Sequence, residues 1–215
     1  MKAESATSLY QAQVSSGLSE NSEFTPERYR QFLKFIPHRD QALQICDVGS
    51  GSGLGAAEIK RQYPHWEIIA VDCVQEHLNL LPKDIYAHAI CGYSHDIPLD
   101  DGSVDVVIAG EFLEHVAPKY IFQTLCEFFR ILKIDGMLLM TTPNPNYVRR
   151  KIQKSSIVAY PAHATQLYPD SLRRRLRDVG FSDVFARGSG RVSRYCGMYL
   201  PLCFYGSYLI GGRKW

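Results

Sequence analysis

The stretch EFLEH (111–115) places two carboxylates and an imidazole within five residues. On one helical turn, Glu111, Glu114 and His115 fall at i, i+3 and i+4 and share a face. A further imidazole, His163, lies in a long irregular stretch downstream. Two carboxylates and two imidazoles converging on one point make a divalent-metal site. The carboxylates suit Mg²⁺, and the imidazoles admit Mn²⁺, Fe²⁺, Co²⁺ or Zn²⁺. A bound metal lowers the pKa of a hydroxyl, so a weak base suffices to deprotonate it. Without a metal, His115 or His163 can act as general base. In a third reading the two histidines only pack.

A second group of residues lies upstream. ICDVGSGSGLGA (45–56) holds four glycines between Gly49 and Gly55, after an apolar run that contains one acid, Asp47. Such a loop lets a ligand approach the backbone. Dinucleotides use a G-x-G-x-x-G turn to bring a pyrophosphate to a helix N-terminus. Gly51, Gly53 and Ala56 match it only in relaxed form, and Asp47 would oppose a pyrophosphate. S-adenosyl-L-methionine (SAM) carries a sulfonium and an ammonium, beside which Asp47 is favourable. Asp72, 23 residues after Gly49, is placed to accept hydrogen bonds from ribose hydroxyls, a role common to both ligands.

The elements that must position these residues alternate. Thr25-Pro26 reads as an N-cap and N1 pair opening a helix through Ile36. Strands are expected at 42–48, 66–72, 85–90, 104–110 and 137–142, with helices at 54–63, 74–81 and 119–133. The last of these carries Phe122, Leu125, Phe129 and Leu132 at helical spacing. Continuous apolar strands in a βαβα rhythm call for a mostly parallel sheet covered on both faces. DSLRRRLRDVG (170–180) is an amphipathic helix with Leu172, Leu176 and Val179 inward, closed by Gly180. Residues 195–212 carry no charge. Glycines, a proline and four tyrosines interrupt them, so a terminal strand, an apolar loop and an edge strand are expected rather than a membrane span.

Asp47, Gly49, Gly51 and Gly53 form D-x-G-x-G-x-G, which resembles motif I of the class I SAM-dependent methyltransferases. IPLDDGSVDVVIAGEFLEHV (97–116) is similar to the segment around their fourth strand. ILKIDGMLLMTTPNPN (131–146) is similar to the helix–strand unit that follows, and GFSDV (180–184) and YLIGGRK (208–214) to the paired last strands. The resemblance covers residues 28–188 and, more loosely, the tail. It implies an α/β fold: a Rossmann-like, doubly wound, mostly parallel seven-stranded sheet with an antiparallel last strand. It implies SAM as cofactor, held by Asp47, Gly49, Ser50, Gly51, Gly53, Asp72, Cys73 and Glu111. At the adenine, alignment on DGSVD puts Tyr93 where the family often has an acid, with Asp96 three residues on. The E-x-x-E-H…H arrangement is similar to that of the small-RNA 2′-O-methyltransferases and of the ubiquinone-pathway O-methyltransferases.

The expected activity is methyl transfer to a hydroxyl of a sugar, glycan or similar polyol. The competing expectations are a quinone or polyketide ring, an RNA 3′ end, or a non-catalytic SAM-binding module. The chain has 215 residues, enough for one domain (25–215) behind a flexible segment or flap (1–24), with a substrate-side insertion at 143–168 and a tail at 188–215. Net charge is only +2, yet residues 145–215 carry 13 Lys/Arg against 3 acids. That basic region suits an anionic small-molecule or glycan acceptor. It also admits nucleic acid or peripheral membrane contact. The six cysteines form no CxxC pair and the N-terminus lacks an apolar signal segment. Both features point to a reducing, cytoplasmic setting. Oligomeric state is not encoded in any motif.

Overall fold

The computed structural model describes residues 24–160 and 162–215. The expected N-terminal flap lies almost wholly outside them. Helix α1 (Thr25–Leu33) precedes a βα series: β1 (Gln44–Val48), α2 (Leu54–Gln62), β2 (Glu67–Asp72), α3 (Gln75–Asn79), β3 (His88–Cys91) and β4 (Val104–Gly110). Then come α4 (Ile121–Ile131), β5 (Leu132–Pro143), α5 (Val148–Ile152), α6 (Pro169–Val179), β6 (Ser182–Ser189), α7 (Arg191–Cys196) and β7 (Ser207–Arg213). Thr25 lies inside α1 rather than capping it, and Phe24 takes the cap position without a side-chain bond.

The seven strands lie in the order β3-β2-β1-β4-β5-β7-β6, parallel except for β7. The sheet is Rossmann-like and mostly parallel, as expected. Alternate residues of each strand feed two apolar layers. Ile45, Val106 and Ile108 join Tyr29, Phe32, Ile59 and Trp66 on one face. Cys46, Val107 and Ala109 join Leu125, Phe128, Leu172 and Leu176 on the other. Both layers are buried, which is why the central strands read as unbroken apolar runs.

Three expectations need correction. Helix α4 turns Ile121, Leu125, Phe128 and Ile131 to the sheet, and Phe122 is 49% exposed. Leu125 is on the buried face as expected, Phe129 packs at its margin, and Leu132 lies in β5. Strand β3 begins at His88, leaving Tyr86 outside it to reach the centre of the sheet. The last strand is not at the edge. Strand β7 sits between β5 and β6, with Gly211 opposite both Leu139 and Phe185. Among the described residues no helix is long and apolar enough to cross a membrane.

Gly211 shows how tightly β7 is enclosed. A Cβ there would lie 2.8 Å from the Leu138 carbonyl oxygen and 2.8 Å from the Phe185 ring. On an edge strand Gly211→Val would be tolerated or helpful, since valine favours strands. Here overpacking is expected to cost about 1–3 kcal/mol, read as a lowered urea midpoint.

Candidate active site

All the expected site residues gather at the carboxyl edge of the parallel strands, where open α/β sheets bind ligands. Strand β1 carries Asp47 one residue before its end and runs into the glycine loop. Gly49 has φ +70°, and a Cβ on it would meet the Phe112 ring at 2.5 Å, so the loop packs directly on the turn after β4. Gly51 has φ +55° with nothing within 4 Å of its Cβ position, leaving the backbone there open. Ser50 beside it is buried.

Asp47 lies beneath the loop and has no solvent exposure. Tyr29 Oη donates to its Oδ1 at 2.5 Å, and Tyr86 Oη to its Oδ2 at 2.9 Å. Burial raises its carboxyl to about 6, against the lowering effect of the two hydroxyls. The acid expected to face the ligand's cationic end is therefore turned inward and bonded to two tyrosines. The carboxylate on the open side is Glu111. Its Oε1 is buried without a hydrogen-bond partner, 3.8 Å from Arg28 Nε, which also lacks one. Its Oε2 accepts from Ser207 Oγ at 3.2 Å.

Asp72 ends β2. Its Oδ1 accepts the Val74 amide at 2.9 Å, and its Oδ2 lies 3.2 Å from His77 Nδ1. That bond raises the His77 pKa. Cys73 follows, its thiol pushed up to about 11 by burial. Tyr93 and Asp96 face each other across a tight turn after β3, with Asp96 N bonded to Tyr93 O at 3.0 Å. Both are exposed, and Tyr93 lies against the His95 ring.

The turn after β4 departs from the expected helix. Glu111 takes φ +51°, and only Leu113–His115 form a 3-10 turn. Glu111 and Glu114 consequently diverge. Glu111 points to Arg28 and Ser207. Glu114 is buried and its Oε2 accepts from Thr142 Oγ1 at 2.9 Å. The Glu114 carbonyl accepts the amides of Ala164 and Thr165, strapping the downstream loop to this turn. His163 thereby meets His115, with ring centroids 5.0 Å apart. Glu114, His115 and His163 each offer a ligand atom within 4.8 Å of the others. Three of the four expected metal ligands converge, and Glu111 is not among them.

Both rings bond a backbone carbonyl through Nδ1: His115 to Ala162 O and His163 to Ile157 O, each at 3.0 Å. A carbonyl accepts only, so Nδ1 is the donor in each of these two bonds. Burial lowers the His115 pKa to about 4, which keeps the ring neutral near pH 7.

Arg28, Tyr29, Tyr86, Thr142 and Ser207 were not foreseen as site residues. Each acts on a partner at least 18 positions away, so no local spacing announces them.

Residues 46–140 match the family model described as "Methyltransferase domain". A malonyl-[acyl-carrier protein] O-methyltransferase of Laribacter hongkongensis is 27% identical over 141 residues, covering 60% of this chain and 46% of that protein. A probable S-adenosylmethionine-dependent methyltransferase of Mycobacterium tuberculosis is 29% identical over 172 residues, covering 73% and 55% respectively. The chain thus spans about half the length of these curated relatives. Among solved structures, a SAM-dependent methyltransferase of Thermotoga maritima, titled a possible histamine N-methyltransferase, superposes with a TM-score of 0.72 at 17% identity, covering 96% of this chain and 99% of that one. The sheet order, the glycine loop and these matches make the chain similar to the SAM-dependent methyltransferases, with the match to the methyltransferase domain lying in residues 46–140, and they support SAM as the cofactor. The site suits it. The amino-acid end of SAM is a zwitterion, and the buried Arg28–Glu111 pair offers a cation and an anion whose facing atoms have no hydrogen-bond partner.

Two outcomes follow. Arg28→Ala should weaken SAM binding about 10- to 100-fold by calorimetry, the worth of a charge-assisted hydrogen bond. Asp47 has a folded pKa above its unfolded value, so the fold favours its protonated form. The stability this gives is present below pH 4 and lost as pH rises through about 6. Relative to Asp47→Asn, the wild type should lose about 2 kcal/mol between pH 4.5 and 7 in denaturant titrations. A difference that does not vary with pH would mean that Asp47 titrates as an ordinary carboxyl.

Proposed function

We propose that this chain transfers the methyl group of SAM to a hydroxyl of a sugar, glycan or similar polyol. The Glu114–His115–His163 cluster carries this reading, because a hydroxyl must lose its proton as it attacks a methyl group. Two imidazoles beside a buried carboxylate are groups fit to take that proton. The relatives' names include both O- and N-methyltransferases, so the fold does not choose the acceptor atom and the argument rests on the cluster. The basic, tyrosine-rich segment that delivers His163 supports an anionic, hydroxyl-bearing acceptor.

The same three residues would hold a divalent cation. Metal-ligating histidines characteristically fix their other nitrogen on a carbonyl or carboxylate, as both do here. One carboxylate with two imidazoles suits Mn²⁺, Fe²⁺, Co²⁺ or Zn²⁺ better than Mg²⁺. A bound cation would supply Lewis acidity toward the acceptor hydroxyl. Thr142 orients Glu114, and the Ala162 and Ile157 carbonyls orient the rings, whether or not metal is present.

The test uses labelled SAM with anionic sugars, catechols and amines as acceptors. His115→Ala and His163→Ala should each lower the rate of methyl ether formation about 10²- to 10⁴-fold, the span of general acid–base catalysis, with SAM affinity nearly unchanged. Methylation of amines at wild-type rate in both variants would overturn the reading. Metal analysis and the Co²⁺ absorption spectrum give an independent readout. Stoichiometric metal that disappears in Glu114→Gln supports the metal-assisted form, and its absence in the wild type assigns the work to a histidine base.

A further inference from the structure

Two excursions leave the carboxyl edge beside the site: residues 144–168 after β5, and residues 190–206 between β6 and β7. Together they hold six Lys/Arg and no Asp or Glu. They also hold nine of the fifteen exposed large apolar or aromatic side chains among the described residues. Ile152 is 76% exposed, Tyr195 81% and Tyr199 78%. The excursions emerge over neighbouring strands, because β7 lies between β5 and β6. They are also bonded to each other. Asn144 Nδ2 donates to the carbonyls of Leu202 and Tyr205, and Tyr205 Oη donates to Gly197 O and accepts the Leu200 amide. The rim is one built surface.

We propose that this rim docks the domain onto an anionic lipid bilayer. Tyrosines favour the boundary between water and hydrocarbon, and Lys/Arg beside them meet anionic headgroups. The aliphatic members decide between partners. Val148, Ile152, Val158 and Leu200 present no ring face on which a nucleobase could stack, and they gain only by leaving water for an apolar phase. Cations with no acid among them also disfavour pairing of this face with a second copy. The Tyr160 ring lies 4.8 Å from that of His163, so the rim reaches the cluster, and docking brings a membrane-borne acceptor to it. The docking itself does not depend on which acceptor is methylated.

The test is co-sedimentation of the full chain with phosphatidylcholine vesicles, with and without phosphatidylglycerol, at low and high salt. Binding should require the anionic lipid and weaken with salt. Arg149→Gln, Lys151→Gln and Arg191→Gln should each reduce partitioning up to about fivefold. The double variant Ile152→Ser/Tyr195→Ser should reduce it at every salt concentration with an unchanged melting midpoint. Equal binding to neutral and anionic vesicles, or none, would overturn the proposal. So would wild-type partitioning of the double variant, which would mark simple charge adsorption. Displacement from vesicles by a single-stranded RNA oligonucleotide at lower concentration would assign the rim to nucleic acid instead.

Discussion

A buried carboxylate at the centre of the sheet holds the cofactor side together. Asp47 sits at the end of β1 with no water to solvate it, and it is retained because Tyr29 and Tyr86 bring hydroxyls to both oxygens. Burying such a group without partners would be costly. With them it ties three remote pieces, helix α1, the glycine loop and the approach to β3, into one floor. Helix α1 is thereby pinned above β4, where Arg28 can face Glu111. The packing leaves little latitude. A Cβ at Gly55 would lie 2.2 Å from the Tyr29 ring.

The turn after β4 then divides the cleft in two. Its left-handed residue, Glu111, breaks what would otherwise be a helix, sending one carboxylate toward Arg28 and the next toward Thr142 and the histidines. The first side is zwitterionic, and under the proposed function it would face the amino-acid end of SAM. The second gathers imidazoles and a carboxylate and matches proton removal or cation binding. A regular helix at 111–115 would have put both acids on one face and merged the two functions.

The fold was largely legible because its signals are local: apolar runs for buried strands, the glycine loop, the amphipathic helix closed by Gly180. Asp72 was likewise readable from its place at the end of β2. The two-sided cleft was not. Glu111 takes its positive φ beside Phe112, whose ring packs on Gly49, a contact across 63 positions that no period or spacing encodes. Arg28 carries no local signal, and its partner Glu111 lies in the turn after β4. Strand β7 read as an edge because glycines and tyrosines diluted it. In the folded sheet those glycines are what let its neighbours close in.

The position of β7 also orders events during synthesis. Among the described residues strand β6 pairs only with β7, and β7 joins it to the rest of the sheet through β5. Until residues 207–213 have left the ribosome, β6 has no neighbour to accept its hydrogen bonds. Helix α6, which precedes β6, meanwhile lacks part of the surface it packs on. At translation speeds of about 5–20 residues per second, that interval lasts on the order of seconds. The nascent chain therefore waits with its first five strands joined and one unpaired β-strand exposed, the state in which a chaperone or a neighbouring chain has most to bind.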